Sequence, residues 1–167
     1  MKKPLPWVRV VGQTSVDDET GNRKGRRIMS ETAEPPLAGY SVYDPVDPFE
    51  NRAGPFFWTR QPDGSCRFAV RATRLHCNSY GLVHGGFLMT LMDMTLVATA
   101  KASDSDQLVT VSLNSEFLAS GREGDLIEAS GDVTRRSRSL VFVRGQVTCG
   151  DKMLLTASAV LKPIKSS

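Results

Sequence analysis

The chain has 167 residues, with 21 Lys and Arg against 18 Asp and Glu, a formal net charge of +3. That length suits one domain with a proper core. A hydrophobic share of 40% with 23% charged residues excludes a disordered chain, a collagen and a membrane bundle. Three irregularly spaced cysteines, Cys66, Cys77 and Cys149, exclude a disulfide framework and a paired Cys-x-x-Cys zinc site, so a reducing cytoplasm is the expected compartment.

Residues 1–34 hold seven basic and five acidic groups and show no sustained periodicity. They read as a disordered basic arm ahead of a single domain over 35–167. The remainder carries 14 basic and 13 acidic residues, which is nearly neutral. The excess charge therefore belongs to the arm, and neither nucleic acid nor membrane is an expected partner of the globular part. Met29, just after the run Gly21–Arg27, is a candidate natural start. Residues 35–55 are rich in Pro and Gly and predict an irregular lead-in, pinned by Leu37, Tyr40, Tyr43, Phe49 and Phe56.

Regular structure is expected from Phe56. Phe56–Arg60 predicts a strand and Gln61-Pro62-Asp63-Gly64 a turn. Cys66, Phe68 and Val70 alternate with Arg67, Ala69 and Arg71, which completes a hairpin. Residues 84–101 predict one helix. It is apolar almost all round and hence buried, too short to span a bilayer, and interrupted by Asp93. Strands are expected near 107–119, 124–136, 138–149 and 152–163. Two strands, a long helix and four strands make an α+β domain with the helix on one face of a six-stranded antiparallel sheet.

Asp93 is the most informative residue. A carboxylate inside an apolar helix needs partners or a task, and its neighbours at three and four residues are Met89, Thr90, Leu96 and Val97. It is either held by Thr90 or loop backbone, or it serves as a nucleophile or general base with a raised pKa. His84-Gly85-Gly86 opens the same helix. The unpaired N–H groups of a helix start, with the positive end of the dipole behind them, suit a developing oxyanion; the glycines equally suit tight helix–sheet packing. Nine residues separate His84 from Asp93, about 13.5 Å along the axis and about 180° around it. One small carbonyl reaches both only if Asp93 comes from a second subunit, so a two-fold dimer with two composite sites is predicted.

Asn78, in the loop feeding the helix, is a candidate to orient water or a carbonyl, or a turn residue bonding its own backbone. His76, Cys77 and His84 match no usual ligand spacing, so no metal is expected, nor any cofactor. In Arg135-Arg136-Ser137-Arg138-Ser139, guanidinium forks beside small hydroxyls fit phosphate; a solvated turn has the same composition.

The stretch His76-Cys77-Asn78-Ser79-Tyr80-Gly81-Leu82-Val83-His84-Gly85-Gly86, followed by Leu91-Met92-Asp93, resembles the hotdog-fold acyl-CoA thioesterases of the 4-hydroxybenzoyl-CoA thioesterase superfamily, nearest the phenylacetate-degradation (PaaI-type) group. Phe117-Leu118 and Gly121-Arg122-Glu123-Gly124-Asp125 extend the likeness, which covers about residues 40–163. The resemblance implies a long helix wrapped by an antiparallel sheet, homodimers that often pair into homotetramers, and hydrolysis of an acyl-CoA. It implies that the Gly85 N–H polarises the thioester carbonyl, that Asp93 of the partner chain attacks or activates water, and that Asn78 and His84 assist positioning. Thr110 matches a hydroxyl residue on the following strand that often contributes. Gly86 is expected along the substrate, and Ser137, Arg138 and Ser139 at the CoA nucleotide. A hydratase or dehydratase of the same fold, or a non-catalytic acyl-CoA binding module, are the rival readings.

Overall fold

The structure, a computed structural model, describes residues 35–43, 47–103 and 106–164; the basic arm and Met29 lie outside the described residues. Strand β1 (Ser41–Tyr43) leads to helix α1 (Pro48–Ala53), the hairpin β2 (Phe56–Arg60) and β3 (Cys66–Arg71), and a 3-10 turn at Arg74–His76. Helix α2 (Gly85–Ala100) follows, then β4 (Gln107–Phe117), β5 (Leu126–Arg136), β6 (Val141–Cys149) and β7 (Lys152–Ile164). The strands form one antiparallel sheet in the order β1-β2-β3-β5-β6-β7-β4. The α+β expectation holds, with a seventh strand added at one edge.

That strand and α1 replace the irregular lead-in expected for residues 35–55. Asp47 caps α1, its carboxylate accepting from the N–H groups of Phe49 (2.8 Å) and Glu50 (3.2 Å), and Pro48 takes the first helical position. An Asp cap followed by Pro is a strong local start signal. Of the apolar residues expected to pin this segment, Phe56 is buried and Phe49 is 64% exposed.

Helix α2 lacks a polar face because the curled sheet encloses it. Ten of its sixteen residues are buried, and it packs against β3, β4, β5, β6 and β7. Leu88, Leu91 and Leu96 are almost wholly removed from water, each worth about 1.5–3 kcal/mol. The closest approach falls at Gly131 and Gly145, which pair across β5 and β6. A Cβ on Gly145 would stand 2.5 Å from the Met92 methyl and 2.6 Å from the Ser130 carbonyl oxygen, and one on Gly131 2.7 Å from a Leu96 methyl and 3.0 Å from the Arg144 carbonyl oxygen; the methyls can swing away, but the strand carbonyls cannot, so the sheet itself requires glycine at this pair. Buried hydroxyls on α2 are satisfied: Thr95 donates to the Leu91 carbonyl (2.7 Å), and Thr99 accepts from the Cys66 N–H (3.0 Å).

Among the described residues strand β4 pairs only with β7 and is a free edge. It is eleven residues long, with Val109, Val111 and Phe117 exposed. Its register against β7 slips between Thr110 and Ser112, leaving Val111 as the extra residue of a bulge.

Candidate active site

The first turn of α2 settles its own donors, with one exception. The His84 ring caps the helix, Nδ1 accepting from the Gly86 N–H at 2.9 Å. The N–H groups of Phe87 and Leu88 both donate to the His84 carbonyl, at 2.9 and 3.2 Å. Among the described residues, only the Gly85 N–H of this turn has no acceptor. The Gly86 N–H, expected along a substrate, is occupied by His84. The Phe117 ring lies against Gly85, 3.1 and 3.2 Å from where a Cβ would stand, so a side chain there would make the ring give way by a few tenths of an ångström.

The loop ahead of the helix is built by Asn78 and His76. Asn78 Oδ1 accepts from the N–H groups of Tyr80 (2.9 Å) and Leu82 (3.1 Å), and the Asn78 N–H donates to the Leu82 carbonyl at 2.8 Å. The turn role therefore belongs to the side-chain oxygen, and its NH2 remains without a partner among the described residues. His76 is buried and stacks on Phe87 with ring centroids 4.2 Å apart. Its Nδ1 accepts from the Thr73 N–H (3.0 Å) and its other nitrogen donates to the Ala53 carbonyl. Burial holds its pKa below the ordinary 6.5, against the opposing effect of that last bond. The His76 carbonyl accepts the His84 N–H at 2.8 Å, so the buried histidine anchors the cap of the exposed one.

Asp93 is half-buried on the third turn of α2. Thr90 does not hold it, because the Thr90 hydroxyl donates back to the Gly86 carbonyl at 2.9 Å. The partner is Thr110, whose hydroxyl donates to Asp93 Oδ1 at 2.7 Å; Oδ2 has none among the described residues. In an unbroken strand Thr110 and Phe117, seven residues apart, would face opposite sides. Both face the helix, Thr110 at Asp93 and Phe117 at Gly85. The bulge at Val111 reconciles the two.

The helix runs unbroken from Gly85 to Ala100, so the free N–H and the carboxylate stay about two turns apart within one protomer. Ser137 closes the β5–β6 turn, its hydroxyl donating to the Leu140 carbonyl and accepting the Leu140 N–H, both at 3.0 Å. Arg138 and Ser139 are exposed and make no hydrogen bond or ion pair among the described residues. Register puts that turn at the Thr110 end of the sheet, since Arg136 pairs with Val141, Val141 with Leu161 and Leu161 with Thr110. Three strand spacings, roughly 14 Å, separate them. A cleft of about 740 Å3 at the carboxyl end of α2, between Arg60, Lys101 and Arg136, contains none of these residues. No helix among the described residues is long and apolar enough to cross a membrane.

Comparison with known proteins gives a consistent result. Residues 80–156 match the family model described as thioesterase superfamily. The chain is 32% identical over 115 residues to the Pseudomonas aeruginosa protein named "Putative esterase PA0474", covering 68% of this chain and 86% of that one. A Ralstonia eutropha protein named as phenylacetic acid degradation-related superposes with a TM-score of 0.63 at 26% identity, over 71% of this chain and 92% of its own. A Bacillus halodurans protein crystallised with CoA superposes with a TM-score of 0.58 at 20% identity, over 66% and 74% of the two chains.

Proposed function

The chain belongs to the thioesterase superfamily and has its hotdog fold, and from that premise we propose that it hydrolyses an acyl-CoA to free CoA and a carboxylic acid at sites shared between two copies of itself. The observation that carries this reading is the division of labour along the free edge strand. One end of β4 backs the unpaired Gly85 N–H through Phe117, and the other end holds Asp93 through Thr110. Antiparallel pairing of β4 with a second β4 about a two-fold axis between Leu113 and Asn114 sets Thr110 of one protomer opposite Phe117 of its mate. Each Asp93 then faces the other protomer's Gly85. The same pairing covers the exposed Val109, Val111 and Phe117 and fills the empty hydrogen-bonding edge. Homotetramers, as the resemblance implies, are pairs of these dimers.

In that arrangement the Gly85 N–H binds the thioester oxygen, backed by the helix dipole. As the base, Asp93 takes a proton from water. The water oxygen adds to the carbonyl carbon, the oxyanion forms on Gly85, and the C–S bond breaks as the carbonyl returns. The departing thiolate takes the proton from Asp93. As the nucleophile, Asp93 instead adds to the carbonyl carbon and the C–S bond breaks, giving an anhydride and a CoA thiolate that takes a proton from solvent; water then opens the anhydride to the acid and the free Asp93 carboxylate, and label from 18O-water entering the protein in a single turnover marks that route. Thr110 orients the carboxylate, the Asn78 NH2 is a donor for the water or the carbonyl, and His84 fixes the first turn. Arg138 and the hydroxyls of Ser137 and Ser139 receive the CoA phosphates, and Gly86 lies beside the substrate through its backbone surface rather than its N–H. CoA in the Bacillus halodurans structure supports the choice of carrier. Three free cysteines accord with a cytoplasmic enzyme.

Free thiol released from an acyl-CoA panel tests the chemistry. A hydratase or a binding module releases none. Complementation tests the shared site: Asp93→Asn and Gly85→Pro chains are each inactive alone, and mixing them creates heterodimers with one intact site. Random mixing restores about a quarter of wild-type activity. No recovery in mixed dimers defeats the composite arrangement.

A further inference from the structure

The cleft at the carboxyl end of α2 lies apart from Asp93, because Lys101 on its wall follows Asp93 by eight residues, about 12 Å along the helix axis. Three elements meet there and are tied to one another. The Cys66 N–H at the head of β3 donates to the Thr99 hydroxyl oxygen on α2 at 3.0 Å, which fixes the β2–β3 turn against the last turn of the helix. The Arg60 guanidinium, at the end of β2, donates to the Gly64 carbonyl at 2.9 Å and lies 5.9 Å over the Trp58 ring. The Arg136 guanidinium, at the end of β5, donates to the Ala100 carbonyl at the last helical residue. A second bulge makes that bond possible. The register of β5 against β6 slips between Val133 and Arg135, leaving Thr134 as the extra residue. Gly131 faces α2, where a Cβ would meet Leu96. In an unbroken strand Arg136, five residues on, would face away. The bulge turns it inward.

We propose that this cleft binds a phosphate group, free or carried by a small molecule, between Arg60, Lys101 and Arg136. Each guanidinium spends one nitrogen on a carbonyl, which holds it in place, and the rest of its fork has no partner among the described residues. Lys101 lines the same cleft, and its amine makes no hydrogen bond or ion pair among the described residues. The acidic groups nearby have partners of their own. Asp63 on the cleft wall accepts the N–H and the hydroxyl of Ser65, at 2.9 and 2.6 Å. Asp132, also on the wall, stands in register opposite Arg144, whose charge offsets it. Asp106 accepts the N–H groups of Ala102 and Ser103 at 2.8 and 3.2 Å. Two anchored guanidinium forks and a free ammonium match a multiply charged phosphate better than a single carboxylate. The cleft holds about 740 Å3, inside the range of about 300–1,000 Å3 typical of small-molecule sites, so a nucleotide-sized body fits beyond the phosphate.

Calorimetric titration of the full chain with inorganic pyrophosphate and with ADP, at low ionic strength, reads the site without any turnover. Saturable binding is expected, with the backbone amide resonances of Gly64 and Ala102 shifting in step. Lys101→Gln removes a side chain that holds nothing in the fold, and it should weaken binding about tenfold or more; Arg60→Gln should do the same. Arg138→Gln should leave the affinity unchanged, which separates the cleft from the phosphates of the carrier at the β5–β6 turn. Tighter binding of ADP than of pyrophosphate assigns the cleft to an organic phosphate, and equal or weaker binding assigns it to the inorganic anion. The inference is overturned by an absence of saturable binding for both probes. It is equally overturned by binding that survives Lys101→Gln and Arg60→Gln, or that Arg138→Gln abolishes. Loss of the hydrolytic reading would leave these titrations untouched.

Discussion

The first and third turns of α2 are built by opposite means. The first is partly exposed and almost self-sufficient: His84 and its carbonyl consume three of the four leading N–H groups and leave one. The third is apolar on nearly every side and carries a carboxylate that a neighbouring strand satisfies at a single oxygen. Each turn thus ends one bond short, one lacking an acceptor and the other a donor. Two turns of rigid helix keep the two unpaired groups apart within the protomer, and the proposed two-fold pairing is what would bring them together.

The comparison breaks most visibly at the third turn. Asp93→Asn keeps the side-chain volume and an acceptor for the Thr110 hydroxyl while removing the carboxylate that the proposed mechanism uses. Turnover is expected to fall about 10²–10⁴-fold, with a circular dichroism spectrum and Tm close to wild type. A variant that retains near-normal turnover would put the chemistry elsewhere. At the first turn the group to which the proposed mechanism assigns the oxyanion is a backbone N–H, which only proline deletes. His84 already has φ −67 and ψ 133, the conformation that a residue before proline prefers, and Gly85 is the first helical position, where proline is tolerated. Gly85→Pro is therefore expected to keep the helix and lose about 10²–10³ in kcat. Gly85→Ala keeps the N–H and introduces the same crowding against Phe117, so steady-state kinetics of the pair separate the donor from the clash. Equal losses in both variants would mean that Gly85 matters only for space.

Thr110→Val asks how much orientation of the carboxylate contributes. A hydrogen bond to a charged group is worth about 1.5–3 kcal/mol, so roughly a tenfold or larger loss in kcat is expected, with Thr110→Ser restoring most of it. An unchanged kcat would mean that the helix alone aims Asp93.

The two turns also differ in how far they could be read from the sequence. The helix was legible almost to the residue, because ten of its sixteen positions are buried and Asp93 is the one charged residue in the run. The hairpin turn at Gln61–Gly64 follows from local chemistry, and there the Gly64 N–H donates to the Gln61 carbonyl; the opening of the helix at His84 was legible too, but the capping role of its ring was not. Strand β4 was legible as a strand, but its bulge was not: an edge strand exposed along most of its length has no alternation to interrupt. Helix α1 was missed although Asp47-Pro48 announces it, because six residues are too few to display a period. Asn78 and Ser137 show the opposite lesson: each kept an ordinary turn role that local rules already allowed.

The smallest expected effect concerns the buried histidine beneath the first turn. His76 accepts the Thr73 N–H at Nδ1, so the folded state needs that nitrogen unprotonated, and burial lowers its pKa. In the unfolded chain the imidazole protonates near its ordinary value of 6.5. Between that value and the lower folded one, the unfolded state binds more protons, so stability rises with pH through this window. The contribution is complete above about pH 6.5 and is lost as pH falls toward the folded pKa. Wild-type Tm should decline on going below pH 6.5. His76→Gln can still accept at its oxygen and donate at its nitrogen, has no proton to take up, and should start lower at neutral pH with a shallower decline, so the two curves converge in acid. Parallel curves would show that His76 protonates as readily folded as unfolded. Because the His84 N–H rests on the His76 carbonyl, the same acid transition should loosen the cap that keeps Gly85 as the one free donor, and amide exchange at Gly86 should quicken with it.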